Sequence, residues 1–239
     1  MRKSVFLLLS FFSERERMAL MKKTAVTILL ILLVFSLPAS SLFVGIGGGR
    51  TYNRIIAGEN YTGYEYLSGF GWKASLPVTV ECTPSFGFET GVSLTEKTYR
   101  IFRETHGMTP VDVTETNLFV TVPVTLRVSV KWVDNVSLFL TAGGYAGFYL
   151  GGKRDGKVLG MATEPIAVSD KVGVEYRNRY EYGVTASLGY TVDIDSLRFS
   201  LALGYSLDLS DIHRGQVYGN YPLHNSTFDL SATLAWRAV

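Results

Sequence analysis

The alternation of residues 117–130 constrains this chain more than any other feature of its sequence. The stretch reads NLFVTVPVTLRVSV, and every even position from Leu118 to Val130 is apolar. The odd positions are mostly polar and include Arg127. Because successive side chains of a β-strand point to opposite faces, this pattern predicts one long strand with a continuous apolar face. Such a face must either cover a wide soluble core or contact lipid.

The same alternation recurs along the rest of the chain and predicts an eight-stranded protein. The segments between the strands alternate in length, with long polar segments separated by tight turns. If the chain runs up and down, every long segment lies at one end of the sheet and every tight turn at the other. The predicted strands cover residues 42–49, 69–82, 86–95, 117–130, 136–150, 180–192, 197–208 and 228–237. The predicted long segments are 52–68, 96–114, 151–177 and 210–225.

Two prolines lie inside predicted strands. Pro77 and Pro123 both fall on the polar face of their strand. Because proline cannot donate a ladder hydrogen bond, we expect each of them to mark a β-bulge.

The composition of the two strand faces distinguishes a soluble barrel from a membrane barrel. A lipocalin-like barrel has an apolar interior, whereas an outer-membrane barrel has an apolar exterior and a polar lumen. Here the polar face is rich in Gly, Ser and Thr, which suits the narrow interior of an eight-stranded barrel. Aromatic residues cluster near the strand ends of the apolar face, as in interfacial girdles, although the core of a β-sandwich is also rich in aromatics. The sequence therefore predicts an all-β fold, an eight-stranded antiparallel up-and-down transmembrane β-barrel.

The N-terminal region has the features of a secretory signal peptide. Met21-Lys22-Lys23 supplies positive charge, and residues 25–37 form an apolar run that is short for a membrane-spanning helix. An uncleaved membrane anchor is the alternative interpretation. We predict a signal peptide over residues 21–41, with cleavage after Ser41, and an outer-membrane β-barrel domain over residues 42–239. Residues 1–20 are interpreted as an upstream extension or a mis-assigned start.

Composition argues against several other classes of protein. The formal net charge is +2 and no basic stripe is present, so we expect no nucleic-acid partner. The only cysteine is Cys82, which excludes an internal disulfide. No metal-ligand spacing and no cofactor motif is present, so we predict no cofactor.

The signal peptide, the eight strands, LFVTVPVTLRVSV with its mid-strand proline, and LFLTAGGYAGFYLGG together resemble a known family. It is the bacterial outer-membrane β-barrel domain family that includes PorT-like proteins, and residues 42–239 also resemble small OmpA-type and OmpX-type barrels more loosely. The resemblance implies a bacterial outer-membrane location with both termini in the periplasm, contact with outer-membrane lipid and folding by the barrel-assembly machinery. Such barrels usually end in an aromatic residue, whereas this chain ends Trp236-Arg237-Ala238-Val239, so Trp236 is the candidate for that role.

Charged residues on the polar face define the candidate site. Charges inside a barrel must be paired, because an unpaired buried charge is strongly unfavourable. We predict that Glu89 and Arg127, at similar heights on adjacent strands, form such a pair. We interpret the whole set as a structural plug that fills the lumen, with a small conducting pore as the alternative. Its members are Lys73, Glu81, Glu89, Arg127, Glu181, Asp193, Arg198, Asp208, Asp229 and Arg237.

Two further hypotheses concern activity. His224 and Ser226 lie on one face of the last strand, an arrangement that a lipid-modifying barrel enzyme could use, but no acid is placed to orient the histidine. We therefore predict that the protein is not an enzyme. The long segments are rich in tyrosine, which suits binding to an extracellular protein or glycan and predicts a structural or surface-binding (adhesion) role. These tyrosines are Tyr52, Tyr61, Tyr64, Tyr66, Tyr176, Tyr218 and Tyr221.

Overall fold

A computed structural model describes residues 40–57, 65–105, 108–159, 165–172, 178–211 and 223–238. Within these ranges no helix is long and apolar enough to cross a membrane. Residues 21–39 of the predicted signal peptide lie outside the described residues, as do Tyr61, Tyr64, Tyr176, Tyr218 and Tyr221. The strands are β1 (Ser41–Ala57), β2 (Glu65–Thr83), β3 (Phe86–Thr105), β4 (Met108–Val133), β5 (Val136–Leu159), β6 (Pro165–Val172), β7 (Tyr180–Ile194), β8 (Leu197–Asp208) and β9 (Leu223–Arg237).

Eight of these strands close into a ring. Neighbouring strands are antiparallel throughout, in the order β1, β2, β3, β4, β5, β7, β8, β9, and β9 returns to pair with β1. The closing β1–β9 ladder is long, running from Phe43–Arg237 to Ala57–Leu223. A closed ring leaves no strand edge inside it, as a sheet that crosses a membrane requires. The predicted antiparallel barrel is confirmed.

The two ends of the barrel differ in their connections. The turn end carries the tight turns at residues 84–85, 134–135 and 195–196 and both described chain ends. Asn135 (φ 65°) and Asp195 (φ 53°) adopt the left-handed conformation that Asn and Asp tolerate better than other non-glycine residues. The opposite end, which we call the loop end, carries the ends of β1, β3 and β5 and the starts of β2, β4 and β9.

The alternation of β4 separates the two faces as predicted. Even positions point away from the ring, and Val124 and Val130 expose 54% and 64% of their surface. Odd positions point into the lumen, where Asn117 and Arg127 are buried. The face that the sequence assigns to lipid is therefore the outer wall of the barrel.

Aromatic side chains on the outer wall form two bands. Towards the loop end, rings pack in pairs, with centroids 5.2 Å apart for Tyr52–Phe70 and 4.6 Å apart for Tyr205–Phe228. Near the turn end, Trp236 is exposed on β9. Phe228 and Trp236 are about 26 Å apart along the strand at about 3.3 Å per residue. With a tilt of about 40°, this length projects to about 20 Å along the barrel axis, slightly less than the apolar band of roughly 25 Å that outer-membrane barrels present to lipid.

The loop end is more regular than the sequence predicts. Residues 96–114, predicted as a loop, instead form the upper part of a hairpin in which β3 ends at Thr105 and β4 begins at Met108. Residues 151–177, also predicted as a loop, contain the end of β5 and the additional strand β6, which pairs with β5. The prediction was wrong because both faces of these segments carry polar residues, so the apolar alternation that marks the other strands is missing.

Neither proline marks a bulge. Register is continuous around Pro77, which pairs with Gly91, and is unchanged on the two sides of Pro123. Pro77 lies on β2 and Pro123 on β4, and Gly91 lies between them on β3. Gly91 has φ +145°, so the backbone accommodates the prolines through the conformation of this glycine, and no extra residue is inserted. The Thr90 hydroxyl donates to the Pro123 carbonyl at 2.8 Å.

A register shift does occur in β5, opposite Leu118 and Phe119. Leu118 pairs with Gly151, whereas Phe119 pairs with Tyr149. Leu150 is therefore an extra residue in β5, and the adjacent Gly151 has φ +157°. The extra residue moves the side chains that follow it to the opposite face of the strand. As a result Arg154 reaches a buried lumen residue, Glu115.

Candidate functional site

The lumen holds its charges in layers, and the first layer lies near the turn end. Arg198 on β8 is buried, and its Nε donates to Asp193 Oδ1 at 2.6 Å. Its Nη1 donates to Glu81 across the lumen. The guanidinium also lies 3.7 Å from the centroid of the Phe43 ring, a cation–π contact. One arginine thus joins β2, β7 and β8.

Arg127 lies in the same half of the lumen. Its Nη1 donates to Glu89 Oε2 at 2.9 Å, the pair expected from the sequence. Its guanidinium stacks on Phe139 at 3.7 Å, which repeats the arrangement of Arg198 on Phe43. Arg237 pairs directly with Phe43 and its guanidinium lies 5.2 Å from that lumen ring, but at the end of β9 the side chain is exposed and not buried.

The middle layer is a single ion pair. Lys73 Nζ on β2 donates to Asp229 Oδ1 on β9 at 2.9 Å. The contact spans β1, because β1 lies between β2 and β9 in the ring. Asp229 is therefore held within the lumen by a cation.

The third layer is the most deeply buried. Lys97 Nζ lies 2.8 Å from Glu181 Oε2 and 2.9 Å from Asp208 Oδ2, and all three side chains are at most 5% exposed. The ammonium is also 4.9 Å from the centroid of the Phe119 ring. The sequence identified both acids but missed Lys97, which fell in a predicted loop. The alternation of β3 could have identified Lys97, because this residue continues the odd positions that point into the lumen.

Above Lys97 the lumen is capped by aromatic and apolar side chains. Ile55, Tyr99 and Leu223 form a buried cluster, and Tyr66 and Ile101 pack against it. The cap places apolar surface at the loop end of the lumen.

The cap is tied to a buried carboxylate. The Tyr99 hydroxyl donates to Glu115 Oε1 at 2.8 Å, and Arg154 Nη2 donates to Glu115 Oε2 at 3.2 Å. Glu115 and Arg154 were also missed from the sequence, since they lie in the hairpin and beyond the β5 register shift.

Small polar cavities separate the layers. One of about 50 Å³ lies between Lys97 and Lys73, and one of about 100 Å³ lies between Lys73 and Arg127. Glu181 Oε1 and the Tyr145 hydroxyl face the first cavity, and neither has a hydrogen-bond partner among the described residues. A cavity of this size and polarity accommodates water that can satisfy both atoms.

A second candidate site lies beyond the apolar band, on the outward face of the loop-end sheet. This sheet comprises the ends of β3, β4 and β5 together with β6. Its outward side chains are charged, and Arg100 pairs with Asp112 at 2.5 Å. The hydrogen bond from Arg100 and its positive charge lower the pKa of Asp112 below its ordinary value of 3.8.

The Arg100–Asp112 pair predicts a specific pH response. Because the folded-state pKa of Asp112 is lowered, the contribution of the pair is present above the unfolded pKa and is lost as the pH falls through the folded value. We expect a carboxyl NMR titration to give Asp112 a pKa below 3.8 and the R100Q variant to bring it back to the ordinary value. Equal pKa values in both proteins would show that the pair does not persist in solution.

His224 and Ser226 make separate contacts. His224 Nδ1 lies 3.1 Å from the Ser210 carbonyl oxygen. The Ser226 hydroxyl donates to the Arg54 carbonyl oxygen at 3.4 Å. Both groups are engaged with backbone, and this arrangement does not orient the histidine towards the serine as nucleophile activation requires. Among the described residues, no group of three metal-ligating side chains lies together.

A closed antiparallel ring with an apolar outer wall, two aromatic bands and ion pairs in its lumen defines a transmembrane β-barrel. The model of the family described as outer membrane protein beta-barrel domain matches residues 36–214. The chain belongs to this family, and its location is the bacterial outer membrane.

Solved structures of similar proteins are also small barrels. OprG from Pseudomonas aeruginosa is 11% identical, with a TM-score of 0.47 over 84% of this chain and 98% of that chain. Neisserial surface protein A is 8% identical, with a TM-score of 0.41 over 82% and 96%. Ail, the attachment invasion locus protein of Yersinia pestis, is 12% identical, with a TM-score of 0.39 over 82% and 99%. No curated protein matches this chain.

Proposed function

We propose that this protein is a non-conducting outer-membrane anchor that displays a rigid β-sheet for binding at the cell surface. In this proposal both termini and the turn end face the periplasm, and the loop end faces outward. The partner is an extracellular protein or glycan.

The filled lumen is the observation that supports this proposal most strongly. A continuous water path would have to pass the Arg198, Lys73 and Lys97 layers and the cap around Tyr99. Opening any layer separates buried ion pairs, and an unpaired charge in a low-dielectric interior is costly. An eight-stranded barrel also has little room for a channel beside side chains.

The loop-end sheet supplies the binding surface. Its outward face combines Arg100, Asp112, Lys153, Asp155 and Lys157, so both signs of charge are interspersed. In the described part of the chain β6 pairs only with β5, which leaves its other edge available for a partner strand. A polar sheet with a free edge suits a protein or glycan surface.

The two described tyrosines of the predicted binding set have other roles. Tyr52 lies in the aromatic band of the outer wall and packs against Phe70, with the two ring planes tilted by 54°. Tyr66 packs against the cap, with its ring centroid 6.4 Å from that of Tyr99. The proposed surface therefore rests on charged side chains and not on tyrosines.

Neutralising the charged pairs of the loop-end sheet tests the binding surface directly. The variant R100Q/D112N/K153Q/D155N removes both ion pairs of this surface without changing the net charge. We expect this neutralised protein to lose at least tenfold in affinity for whichever immobilised glycan or extracellular matrix protein the wild type retains in an array. The matched control is K131Q/D134N, which removes an exposed pair at the turn end.

The outcomes of this array are distinct. Loss of binding in the neutralised protein with retention in K131Q/D134N supports the proposal. Equal binding by all three proteins places the surface elsewhere, and no binding by the wild type to any arrayed probe contradicts a surface-binding role for proteins or glycans of those classes.

A further inference from the structure

We propose that the lumen binds one monovalent metal cation, with sodium as the expected ion, in the cavity between the Lys97 and Lys73 layers. The site lies inside the barrel and does not depend on the proposed surface-binding function. It rests on a charge that the buried Lys97 layer leaves uncompensated and on two unpartnered oxygen atoms that face the cavity.

The Lys97 layer carries more negative charge than positive charge. Lys97 Nζ lies 2.8 Å from Glu181 Oε2 and 2.9 Å from Asp208 Oδ2, and the three side chains are at most 5% exposed. Among the described residues no second cation pairs with either acid. With both acids ionised, one negative charge of the layer has no counter-charge, and such a charge buried away from solvent is strongly unfavourable.

Two oxygen atoms face the cavity without a hydrogen-bond partner among the described residues. One is Oε1 of Glu181, whose other oxygen, Oε2, accepts from Lys97, and the second is the Tyr145 hydroxyl. A hydroxyl can donate to a carboxylate, yet these two groups do not bond to each other, so a bound species has room between them. Water there would satisfy both atoms but leave the charge uncompensated, whereas a cation with its own water molecules does both.

The cavity has the size and the lining that a partly hydrated cation requires. Its volume of about 50 Å³ holds roughly three or four bodies of the size of water. The hydroxyl groups of Ser93, Thr95 and Thr121 also line it and offer neutral oxygen ligands. Hard cations bind to oxygen ligands, so the lining and the free carboxylate oxygen suit such an ion.

The two lysines that border the cavity do not exclude a cation. Lys97 is bound to Glu181 Oε2 and to Asp208, and Lys73 is bound to Asp229. Each ammonium is therefore compensated by a carboxylate of its own. Oε1 of Glu181 remains the carboxylate oxygen that faces the cavity without a partner.

The charge and the ligands favour a monovalent ion over a divalent one. One positive charge neutralises the layer, whereas a divalent ion would give it a net positive charge. Calcium takes six to eight oxygen ligands, and magnesium is held through carboxylates and an ordered water shell. Within the part of the chain that the structure describes, no three acidic, histidine or cysteine side chains lie together as a divalent site requires.

Urea unfolding in two chloride salts tests the site. The wild-type barrel is unfolded in neutral detergent micelles with sodium chloride or with choline chloride at the same concentration, so that ionic strength and chloride are equal. Choline is too large for the cavity. A site half-filled at about 10 mM sodium lowers the equilibrium constant of unfolding about tenfold at about 100 mM. We expect a difference of this size between the two salts.

Three variants make the result specific. E181Q removes the carboxylate at the cavity but keeps Lys97 paired with Asp208, so its unfolding should be the same in both salts, whatever its own stability. Y145F removes the hydroxyl and keeps the ring, and should reduce the sodium effect. The matched control is E89Q, which removes an acid from a different ion pair of the lumen and should keep the tenfold effect.

Three results overturn the proposal. The same sodium effect in E181Q shows a general effect of the salt on the barrel. An undiminished effect in Y145F places the ion outside this cavity. Equal unfolding of the wild type in both salts shows that no sodium binds, and a stability gain between about pH 8 and about pH 6 that E181Q lacks then assigns the missing charge to a proton on Glu181.

Discussion

Replacing Lys97 with methionine is expected to destabilise the folded barrel by about 3–5 kcal/mol, the range measured when one member of a buried ion pair is removed. The substitution keeps the length and apolar stem of the side chain but leaves Glu181 and Asp208 without their cation. Both acids are at most 5% exposed, so bulk solvent cannot compensate their charges once the ammonium is removed. Urea unfolding in detergent micelles, followed by tryptophan fluorescence, measures the change in the free energy of unfolding.

A compensated variant separates the lost pair from lost packing. K97M/E181Q/D208N removes the cation and both negative charges together, and we expect it to recover most of the stability that K97M loses. If K97M unfolds within 1 kcal/mol of the wild type, the Lys97 layer does not hold the barrel together in the way the contacts imply.

Replacing Arg198 with methionine has the second largest expected effect, about 2–3 kcal/mol. Arg198 also bridges two acids, but Glu81 and Asp193 are 13% and 28% exposed, so water near the turn end can solvate them in part. The same unfolding measurement should therefore rank R198M below K97M in severity.

The fork of Arg198 makes lysine a poor substitute. Its Nε and Nη2 both bond Asp193 while Nη1 reaches Glu81, and one ammonium cannot reproduce this geometry. R198K should recover less than half of the loss. Full recovery would mean that charge alone, and not the fork or the stacking on Phe43, accounts for the role of Arg198.

Alternation made most of the barrel predictable from the sequence. In β4 the period of two assigned Arg127 to the lumen and the even valines to lipid, and both assignments hold. The tight turns fixed which residues lie at similar heights, which is why the Glu89–Arg127 pair could be predicted. Local patterning is sufficient here because each residue contacts a neighbour on an adjacent strand.

The loop-end half of the lumen was less predictable for a physical reason. Beyond the membrane both faces of a strand can be polar, so the segment around Lys97 and Glu115 has the composition of a loop. Arg154 could not be placed, because the register shift at Gly151 reverses its face and the sequence shows only a glycine pair there. Contacts that cross the barrel, such as Lys97–Asp208, depend on the stagger of the closed ring, which no local pattern specifies.

Planar-bilayer recording of the purified barrel measures whether its lumen is closed to ions. With the Arg198, Lys73 and Lys97 layers intact beneath the cap, we expect no stable single-channel steps in symmetric potassium chloride. Reproducible steps of constant amplitude from the wild-type protein would show that the lumen is open, because ions would then pass all three charge layers of the folded barrel.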